Sequence, residues 1–331
     1  MFLGRILKGI LLVILLLFAL ILVLLTLANW QRSMRETQSR AEAAPRNGRF
    51  IRISDGEIFI QETGTVDDRP VLFIHGTGAW SELWRETLDQ CPAFGQYCIG
   101  IDVPPFGFSA VDGGSQYTRV DQARRILELM QQVRPRATFT LVGHSFGAGP
   151  TVEAVMRDPS HVGALVVVDG ALGIDDPPSG PGPINAILSS RIVRNSILSA
   201  VVTNPLFTKQ LILPLLYKKE AATESRVQLL QRPLVVKDAT DHLGDWALNF
   251  FSSAGEENLS RHAASYSGIA VPTLVIWGEQ DTITPLPQGE RLHALLPTSR
   301  LVRFAGVGHM PQIEDVGAFN AALFDFLQRK I

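Results

Sequence analysis

The sequence is poor in cysteine and has no excess of positive charge. Its 331 residues contain only two cysteines, Cys91 and Cys98, which excludes a four-cysteine zinc site and a framework of several disulfides. Thirty Lys and Arg residues against 32 Asp and Glu residues leave a net charge of −2, so we expect no nucleic-acid partner. The sequence has no internal repeat and no metal, nucleotide or flavin signature, and we expect neither a metal nor a cofactor.

An uncharged apolar run occupies residues 9–28. At about 1.5 Å per residue, a helix of this length reaches about 30 Å and can cross the hydrocarbon core of a bilayer. Trp30 and Arg32 follow the run, and such residues are typical of the membrane–water boundary. We therefore predict a transmembrane anchor over residues 1–30 and a polar, basic stalk over residues 31–49. The competing interpretation is a cleaved signal peptide, whose apolar core is ordinarily shorter.

Positive charge flanks the apolar run on both sides, so the sequence leaves the side of the membrane open. Arg5 and Lys8 precede the run, and four arginines follow it closely: Arg32, Arg35, Arg40 and Arg46. This distribution slightly favours a cytoplasmic body, whereas a short basic tail before an apolar run is equally typical of an export signal. We expect a single-pass membrane protein, and no feature of the sequence indicates its oligomeric state.

Beyond residue 49, short apolar runs alternate with amphipathic stretches, the pattern of strands and helices in an α/β protein. An opening hairpin is predicted at residues 50–54 and 57–62, with Asp55-Gly56 at its turn. Further strands are predicted at residues 71–74, 97–101, 139–143, 164–168, 273–277 and 301–304. We therefore expect a mostly parallel, twisted sheet with helices on both faces.

The alternation stops between residues 171 and 270. Prolines open this region and apolar helical segments fill it, and no neighbouring strand needs a connection of about one hundred residues. We predict a helical cap over residues 171–270, inserted into a core formed by residues 50–170 and 271–331. Two interpretations of its many apolar residues stay open: they line an acyl pocket and lean on the membrane, or they bury themselves against the sheet.

The segment Gly143-His144-Ser145-Phe146-Gly147 fits the pattern G-x-S-x-G. It follows a predicted strand and precedes an amphipathic helix, and in this context a sharp turn lifts the serine hydroxyl clear of the sheet. The flanking glycines keep side chains away from the tight turn. We predict that Ser145 is a nucleophile; the competing interpretation is a serine in an ordinary glycine-rich turn.

A serine nucleophile needs a base to take its proton and a carboxylate to orient that base. His309 lies just after the last predicted strand, at the same sheet edge as the serine. Asp281 follows the preceding strand, which completes the chain order Ser–Asp–His expected for such a site. Asp169, at the end of another strand, is the alternative acid. His75 and His144 lie in glycine-rich turns, where we expect them to brace the backbone.

Acyl transfer also needs donors for the charge that develops on the carbonyl oxygen. We predict that these are the backbone N–H groups of Phe146, the residue after the nucleophile, and of Thr77, in the turn after the strand at 71–74. Gly76 and Gly78 allow a substrate carbonyl to come close to this second turn.

These motifs resemble the α/β-hydrolase superfamily, in the branch of capped serine hydrolases that includes esterases, monoacylglycerol-type lipases and C–C bond hydrolases. The resemblance runs from about residue 50 to the C-terminus. It rests on five segments: residues 75–78, 102–109, 143–147, 277–281 and 308–309. Pro105 stands where the family's D-x-P-G-x-G-x-S loop has glycine, a difference that bears on this loop and not on the catalytic residues.

The resemblance implies that Ser145 attacks a carbonyl, His309 takes and returns the proton, and Asp281 holds His309. A serine instead of an aspartate at this position argues against the family's epoxide hydrolases and haloalkane dehalogenases. We expect a carboxylic-ester hydrolase, an esterase or lipase acting on small-molecule or lipid esters with apolar acyl groups. The alternatives are C–C bond, thioester or amide hydrolysis or acyl transfer on the same residues, and, in another class, a catalytically silent membrane-tethered binding module.

Overall fold

The computed structural model describes residues 2–113, 116–176, 188–252 and 258–329, so the predicted helical residues 184–187 lie outside it. Its strands form one nine-stranded sheet. The strands are β1 (Gly48–Ile53), β2 (Gly56–Thr63), β3 (Arg69–Ile74), β4 (Gln96–Ile101), β5 (Ala110–Val111), β6 (Phe139–His144), β7 (Val162–Val168), β8 (Thr273–Gly278) and β9 (Ser299–Phe304).

The sheet is parallel over most of its width, as the sequence predicts. Its order is β1-β2-β4-β3-β6-β7-β8-β9, with β5 paired to β2. The pairs that β2 forms with β1, β4 and β5 are antiparallel. All the other strand pairs of the described sheet are parallel. Gly143 in β6 is level with Val167 in β7, and Val168 is level with Ile276 in β8. The carboxyl ends of these strands therefore meet at one edge.

Helices cover both faces of the sheet and fill the long connection between β7 and β8. They are α1 (Phe2–Arg35), α2 (Arg40–Ala43), α3 (Arg85–Leu88), α4 (Arg119–Val133), α5 (Ala148–Arg157), α6 (Arg191–Ala200), α7 (Thr208–Ile212), α8 (Glu224–Gln231), α9 (Ala239–Ser252), α10 (Leu286–Leu295), α11 (Pro311–Glu314) and α12 (Val316–Arg329). The helix predicted around residues 80–88 is divided into a 3₁₀ turn, Ser81–Trp84, and α3.

Successive residues of the parallel strands pack into different apolar clusters, because side chains alternate between the two faces of a sheet. Leu72 and Leu141 belong to the cluster that includes α4 and α5. Phe73 and Val142 belong to the cluster that includes α12. Burial on both faces explains why these strands are continuous apolar runs in the sequence.

Helix α1 extends through the predicted anchor and into the predicted stalk. Among the described residues it is the one unbroken helix that is long and apolar enough to cross a membrane, and most of the apolar side chains described in it are exposed. The stalk residues lie against the helical region between β7 and β8. Arg32 pairs with Asp241 at 2.8 Å, Glu36 is buried, and Gln38 forms a β-bridge with Val236.

The loop after β4 is held by Asp102, which accepts the backbone N–H of Ser81 at 2.8 Å and that of Phe108 at 2.7 Å. Gly107 has φ +62°, and a Cβ there would lie 2.0 Å from Asp102 Oδ2. Pro105, which replaces the family's glycine, follows a cis peptide bond within this loop. The loop is therefore anchored at both ends by one buried carboxyl group.

Cys91 and Cys98 form a disulfide bond. It joins the 3₁₀ turn Cys91–Phe94 to strand β4, and both residues are fully buried. A single bond of this kind agrees with the exclusion of a larger disulfide framework.

Candidate active site

Ser145 follows β6 in a left-handed conformation, with φ 52°, which is strained for a residue with a side chain. A short 3₁₀ turn, Ser145–Gly147, then leads into α5. Both flanking glycines are sterically necessary. A Cβ on Gly143 would lie 2.6 Å from Thr151 Oγ1, and one on Gly147 would lie 2.3 Å from the carbonyl oxygen of His75. The backbone at this turn is too crowded for larger residues.

The structure brings Ser145, His309 and Asp281 together. His309 Nε2 lies 2.8 Å from Ser145 Oγ, and His309 Nδ1 lies 2.7 Å from Asp281 Oδ2. The carboxylate can only accept, so Nδ1 carries the ring proton and Nε2 is left as the acceptor for the serine hydroxyl. His309 is 2% exposed and Asp281 is 5% exposed, so bulk water does not compete for this contact.

The Asp281 carboxylate is surrounded by donors besides His309. It accepts the backbone N–H groups of Ile283 at 2.7 Å and Thr284 at 3.0 Å, and Thr284 Oγ1 lies 2.6 Å from its second oxygen. Burial alone would raise the pKa of Asp281, but His309 and these hydrogen bonds outweigh it and lower the pKa. The carboxylate is therefore charged at neutral pH. Sequence reasoning missed Thr284, although a Thr three residues after an Asp is a common local hydrogen-bond partner.

Asp169, the alternative acid, lies close to Asp281 and His309, but the imidazole is hydrogen-bonded to Asp281 and not to Asp169. Its Oδ1 accepts the N–H of Gly278 at 2.9 Å, and the residue is completely buried. Burial, and next the charge of Asp281, raise the pKa of Asp169 well above its ordinary value. Asp169, Asp281 and His309 offer ligand atoms within 4.8 Å of one another, the one such group among the described residues. The hydrogen bond between Asp281 and His309 already occupies two of its members.

His75 and His144 brace the backbone around the serine. His75 Nε2 accepts the N–H of Val103 at 2.9 Å, so its Nδ1 donates to the carbonyl of Gly76 at 2.7 Å. His144 Nε2 donates to the carbonyl of His309 at 2.8 Å. Burial lowers the pKa of His75 to about 4 and that of His144 to about 3. Both rings are therefore neutral, and His144 ties the serine turn to the histidine loop.

Glu314, in α11, is a residue that the sequence analysis missed. Its carboxylate accepts four backbone N–H groups at 2.8–3.2 Å, from Gly308, Met310, Tyr217 and Lys218. The backbone N–H of His309 also donates to the carbonyl of Leu215 at 2.8 Å. The histidine loop is thus fastened to the helical region between β7 and β8, and no short motif indicates such contacts between distant segments.

The two predicted oxyanion segments flank the serine. Phe146 immediately follows it, and Thr77 is exposed in the turn after β3. A Cβ on Gly76 would lie 2.9 Å from Ser145 Cβ, so this turn passes directly beside the serine. The donor roles of Thr77 and Phe146 stay predictions.

Aromatic rings continue from the serine turn to the surface. The Phe146 ring contacts Phe106, Trp246 and Phe250, with ring centroids 6.2, 5.4 and 6.0 Å away. Trp246 is buried and stacks on Phe250, which is exposed. These four residues, named here the aromatic cluster, form an uncharged apolar patch that begins at the residue after Ser145.

The substitution Asp169→Asn tests whether Asp169 is neutral. With a raised pKa, the folded protein retains a proton that the unfolded chain loses above about pH 4. The free energy of unfolding of the wild type should therefore fall as pH rises towards the raised pKa, by at most about 1.4 kcal/mol per pH unit from this group. Asparagine has no such proton. Urea titrations measure the free energy of unfolding of both proteins. Its value for the variant minus its value for the wild type should increase from about pH 5 to about pH 8. A difference that stays constant with pH would contradict a neutral Asp169.

The comparisons with known proteins agree with this geometry. Residues 71–322 match the model of the alpha/beta hydrolase family. The 2-hydroxy-6-oxononadienedioate/2-hydroxy-6-oxononatrienedioate hydrolase of Cupriavidus pinatubonensis is 26% identical over 290 residues, which are 84% of this chain and 94% of that protein.

Solved structures share the fold. An esterase from Exiguobacterium antarcticum has a TM-score of 0.67 at 20% identity, covering 85% of this chain and 99% of that one. A bacterial membrane phospholipase A has a TM-score of 0.66 at 23% identity, covering 98% of each chain. The family match spans most of the sequence and includes the segments that carry Ser145, Asp281 and His309. The chain therefore belongs to the alpha/beta hydrolase family and is a hydrolase.

Proposed function

We propose that this hydrolase cleaves carboxylic esters with apolar acyl groups through an acyl-enzyme on Ser145. The observation that carries the proposal is the unbroken line of hydrogen bonds from Ser145 Oγ through the His309 ring to Asp281. A hydroxyl in this arrangement loses its proton to the ring as it attacks, and the carboxylate stabilises the ring's positive charge.

In the proposed reaction, Ser145 Oγ attacks the ester carbonyl while His309 Nε2 takes the hydroxyl proton. The bond to the alcohol then breaks, and the alcohol leaves with that proton. Water next attacks the acyl-enzyme and gives a proton to His309. The carboxylic acid leaves as this proton returns to Ser145 Oγ, which restores the enzyme.

The backbone N–H groups of Thr77 and Phe146 are our proposed donors to the oxyanion. Their support is position, since both segments flank the serine and Gly78, beside Thr77, has open space where a side chain would stand. One such donor typically contributes about 3–4 kcal/mol of transition-state stabilisation.

The aromatic cluster supports an apolar acyl group as the preferred substrate. It begins at Phe146, beside the nucleophile, and ends at the exposed ring of Phe250. An acyl chain lying along these rings gains about 0.8 kcal/mol for each methylene removed from water.

C–C bond hydrolysis is the second candidate, because relatives at 26–27% identity are named as hydrolases of oxo-dienedioates. A dienedioate carries two carboxylates, which need cationic or hydrogen-bonding partners when they are buried. The uncharged aromatic cluster favours an apolar ester instead. Rates of hydrolysis measured on a dienedioate and on apolar esters distinguish the two candidates.

We also propose that α1 is an uncleaved membrane anchor and that residues 171–270 act as a cap over the core. The support is that the apolar run continues without a break into the last turns of α1, where Asn29, Arg32 and Arg35 bond to the helical region between β7 and β8. The structure of a membrane phospholipase A aligns over 98% of this chain, a length that includes most of α1.

We infer that the catalytic body faces an oxidising compartment, against the slight preference that the arginine count gives for the cytoplasm. The support is the Cys91–Cys98 bond, because disulfides persist outside the reducing cytosol and are rare within it. An anchor preceded by a short basic tail is compatible with export of the body.

Activity-based labelling tests the nucleophile. A fluorophosphonate should label the full-length protein and fail to label Ser145→Ala. Asp281→Asn should slow turnover of a p-nitrophenyl ester by about 10³–10⁴-fold, because the amide no longer selects the correct ring tautomer. Asp169→Asn, the matched control, should have a much smaller effect, since asparagine mimics a neutral carboxyl group. Failure of the wild type to label would support a silent binding module. A larger loss of turnover in Asp169→Asn than in Asp281→Asn would mean that Asp169, and not Asp281, orients His309.

A panel of p-nitrophenyl esters tests the acyl preference. In detergent, kcat/KM should rise about 3–4-fold for each added methylene over the first several carbons. Trp246→Ala should flatten this dependence by removing ring surface, whereas Trp246→Phe keeps a ring and should retain most of it. A preference for acetate over longer chains, or a dienedioate cleaved faster than every ester, would contradict the proposal.

Thiol trapping tests the compartment. Cells are quenched in acid, denatured and alkylated before any reduction. Cys91 and Cys98 should escape alkylation until a reductant is added, whereas Cys91→Ser should leave Cys98 immediately reactive. Alkylation of both wild-type thiols before reduction would place the body in the cytoplasm.

A further inference from the structure

Helix α6 has the reverse of the usual amphipathic arrangement. Most of its buried side chains are polar: Arg194, Asn195, Ser196 and Ser199, together with Leu198. Its exposed apolar side chains are Ile192, Val193 and Ile197. A helix on the surface of a water-soluble protein places its apolar residues inward. The outward apolar side of α6 therefore needs an apolar neighbour that the described part of the chain does not provide.

The buried polar side chains explain why α6 is held in this orientation. Arg194 donates to Asp245 Oδ1 at 2.6 Å and to the carbonyl of Leu188 at 2.8 Å. Asn195 donates to Asp241. The bonds to Asp245 and Asp241 join α6 to α9, so turning the apolar side inward would leave several buried polar groups unpaired, which is unfavourable.

The apolar surface continues beyond α6. Val201, Leu206 and Phe207 follow it along the chain, and all three are exposed, Leu206 most strongly. The segments Arg191–Ala200 and Pro205–Leu215 are together apolar enough for a membrane span, but they are bent by 53°. We name the outer cap face by six residues: Ile192, Val193, Ile197, Val201, Leu206 and Phe207.

The position of α1 indicates what covers the outer cap face. Asn29, which directly follows the apolar run, donates to Ser196 Oγ at 2.7 Å and accepts from Ser199 Oγ at 3.2 Å. Helix α6 thus packs against the turn of α1 where the apolar run ends. If α1 spans a bilayer, this turn lies at the boundary between acyl chains and headgroups. Ile197, between the two serines in sequence, is then at the same boundary.

Exposed cations accompany the apolar residues. Arg191 precedes the first of them and Lys209 follows the last, and both side chains are exposed. Arg191 has only a 3.4 Å contact with Asp241. Cations bordering apolar residues are typical of segments that lie in the plane of a membrane interface, where the cations meet headgroup phosphates.

We propose that the outer cap face is seated in the lipid interface beside the membrane anchor, so that the cap binds the bilayer as well as the core. The proposal rests on the proposed function of α1 as an anchor. Each side chain of this face then buries apolar surface about 5–10 Å into the boundary of headgroups and acyl chains.

Depth-dependent quenching tests the proposal on the full-length protein in phosphatidylcholine vesicles. Because Cys91 and Cys98 are bonded to each other, an introduced cysteine is the one free thiol and takes a bimane label. Labels at Ile192→Cys and Leu206→Cys should be quenched at least about twofold by lipids brominated near the headgroup. Two further labels serve as controls: Leu15→Cys within the apolar run, and Val66→Cys, an exposed apolar residue just before β3, at the opposite edge of the sheet from Ser145.

The controls separate failure of this proposal from failure of the anchor. The Leu15 label should be quenched by deeply brominated lipids and the Val66 label by none. Quenching at Leu15 with none at Ile192 or Leu206 would overturn the seated face and leave the anchor intact. No quenching at Leu15 would overturn both. Shielding of Ile192 and Leu206 from aqueous iodide without quenching by lipid would mean that a second copy of the chain covers the face, which also overturns the proposal.

Discussion

The common edge of the parallel strands is the constraint on which the site depends. Ser145 follows β6, Asp169 follows β7, Asp281 lies just after β8, and His309 follows β9. Parallel hydrogen bonding places these strand ends side by side, so residues up to 164 positions apart in the chain approach within hydrogen-bond distance. No single loop could hold a base and a carboxylate behind the serine with this accuracy. The sheet supplies the positions, and the loops supply only the side chains.

Different sets of hydrogen-bond donors give the two neighbouring buried carboxyl groups opposite charge states. Asp281 is charged because several donors point at it, whereas Asp169 has one backbone donor and lies beside that charge. Two charged carboxylates could not share this space without a strong penalty. A neutral Asp169 leaves the full negative charge beside His309, where the proposed reaction needs it. Neutral His144 likewise adds no positive charge that would compete with His309.

The sequence predicts the alternation of strands and helices well, because buried parallel strands are short apolar runs with glycine-rich turns after them. The order of Ser145, Asp281 and His309 follows from the same pattern. The contacts of Glu314 were not predictable, since they join segments with no shared motif. His144 was expected to brace the backbone, but its partner, the carbonyl of His309, was not predictable for the same reason. Packing of the predicted stalk against α9 was also missed, because its charged residues resemble any solvated segment until their partners, such as Asp241, are placed in space.

The attachment of α1 places the N-terminal helix in the same network of contacts as the candidate site. Asn29, Arg32 and Glu36 join it to the helical region above the sheet, and residues 44–47 lead from α2 to β1. The same region is bonded to the histidine loop, because the Leu215 carbonyl accepts the backbone N–H of His309. The segment that meets the N-terminal helix is therefore also the one that holds the backbone of the proposed base.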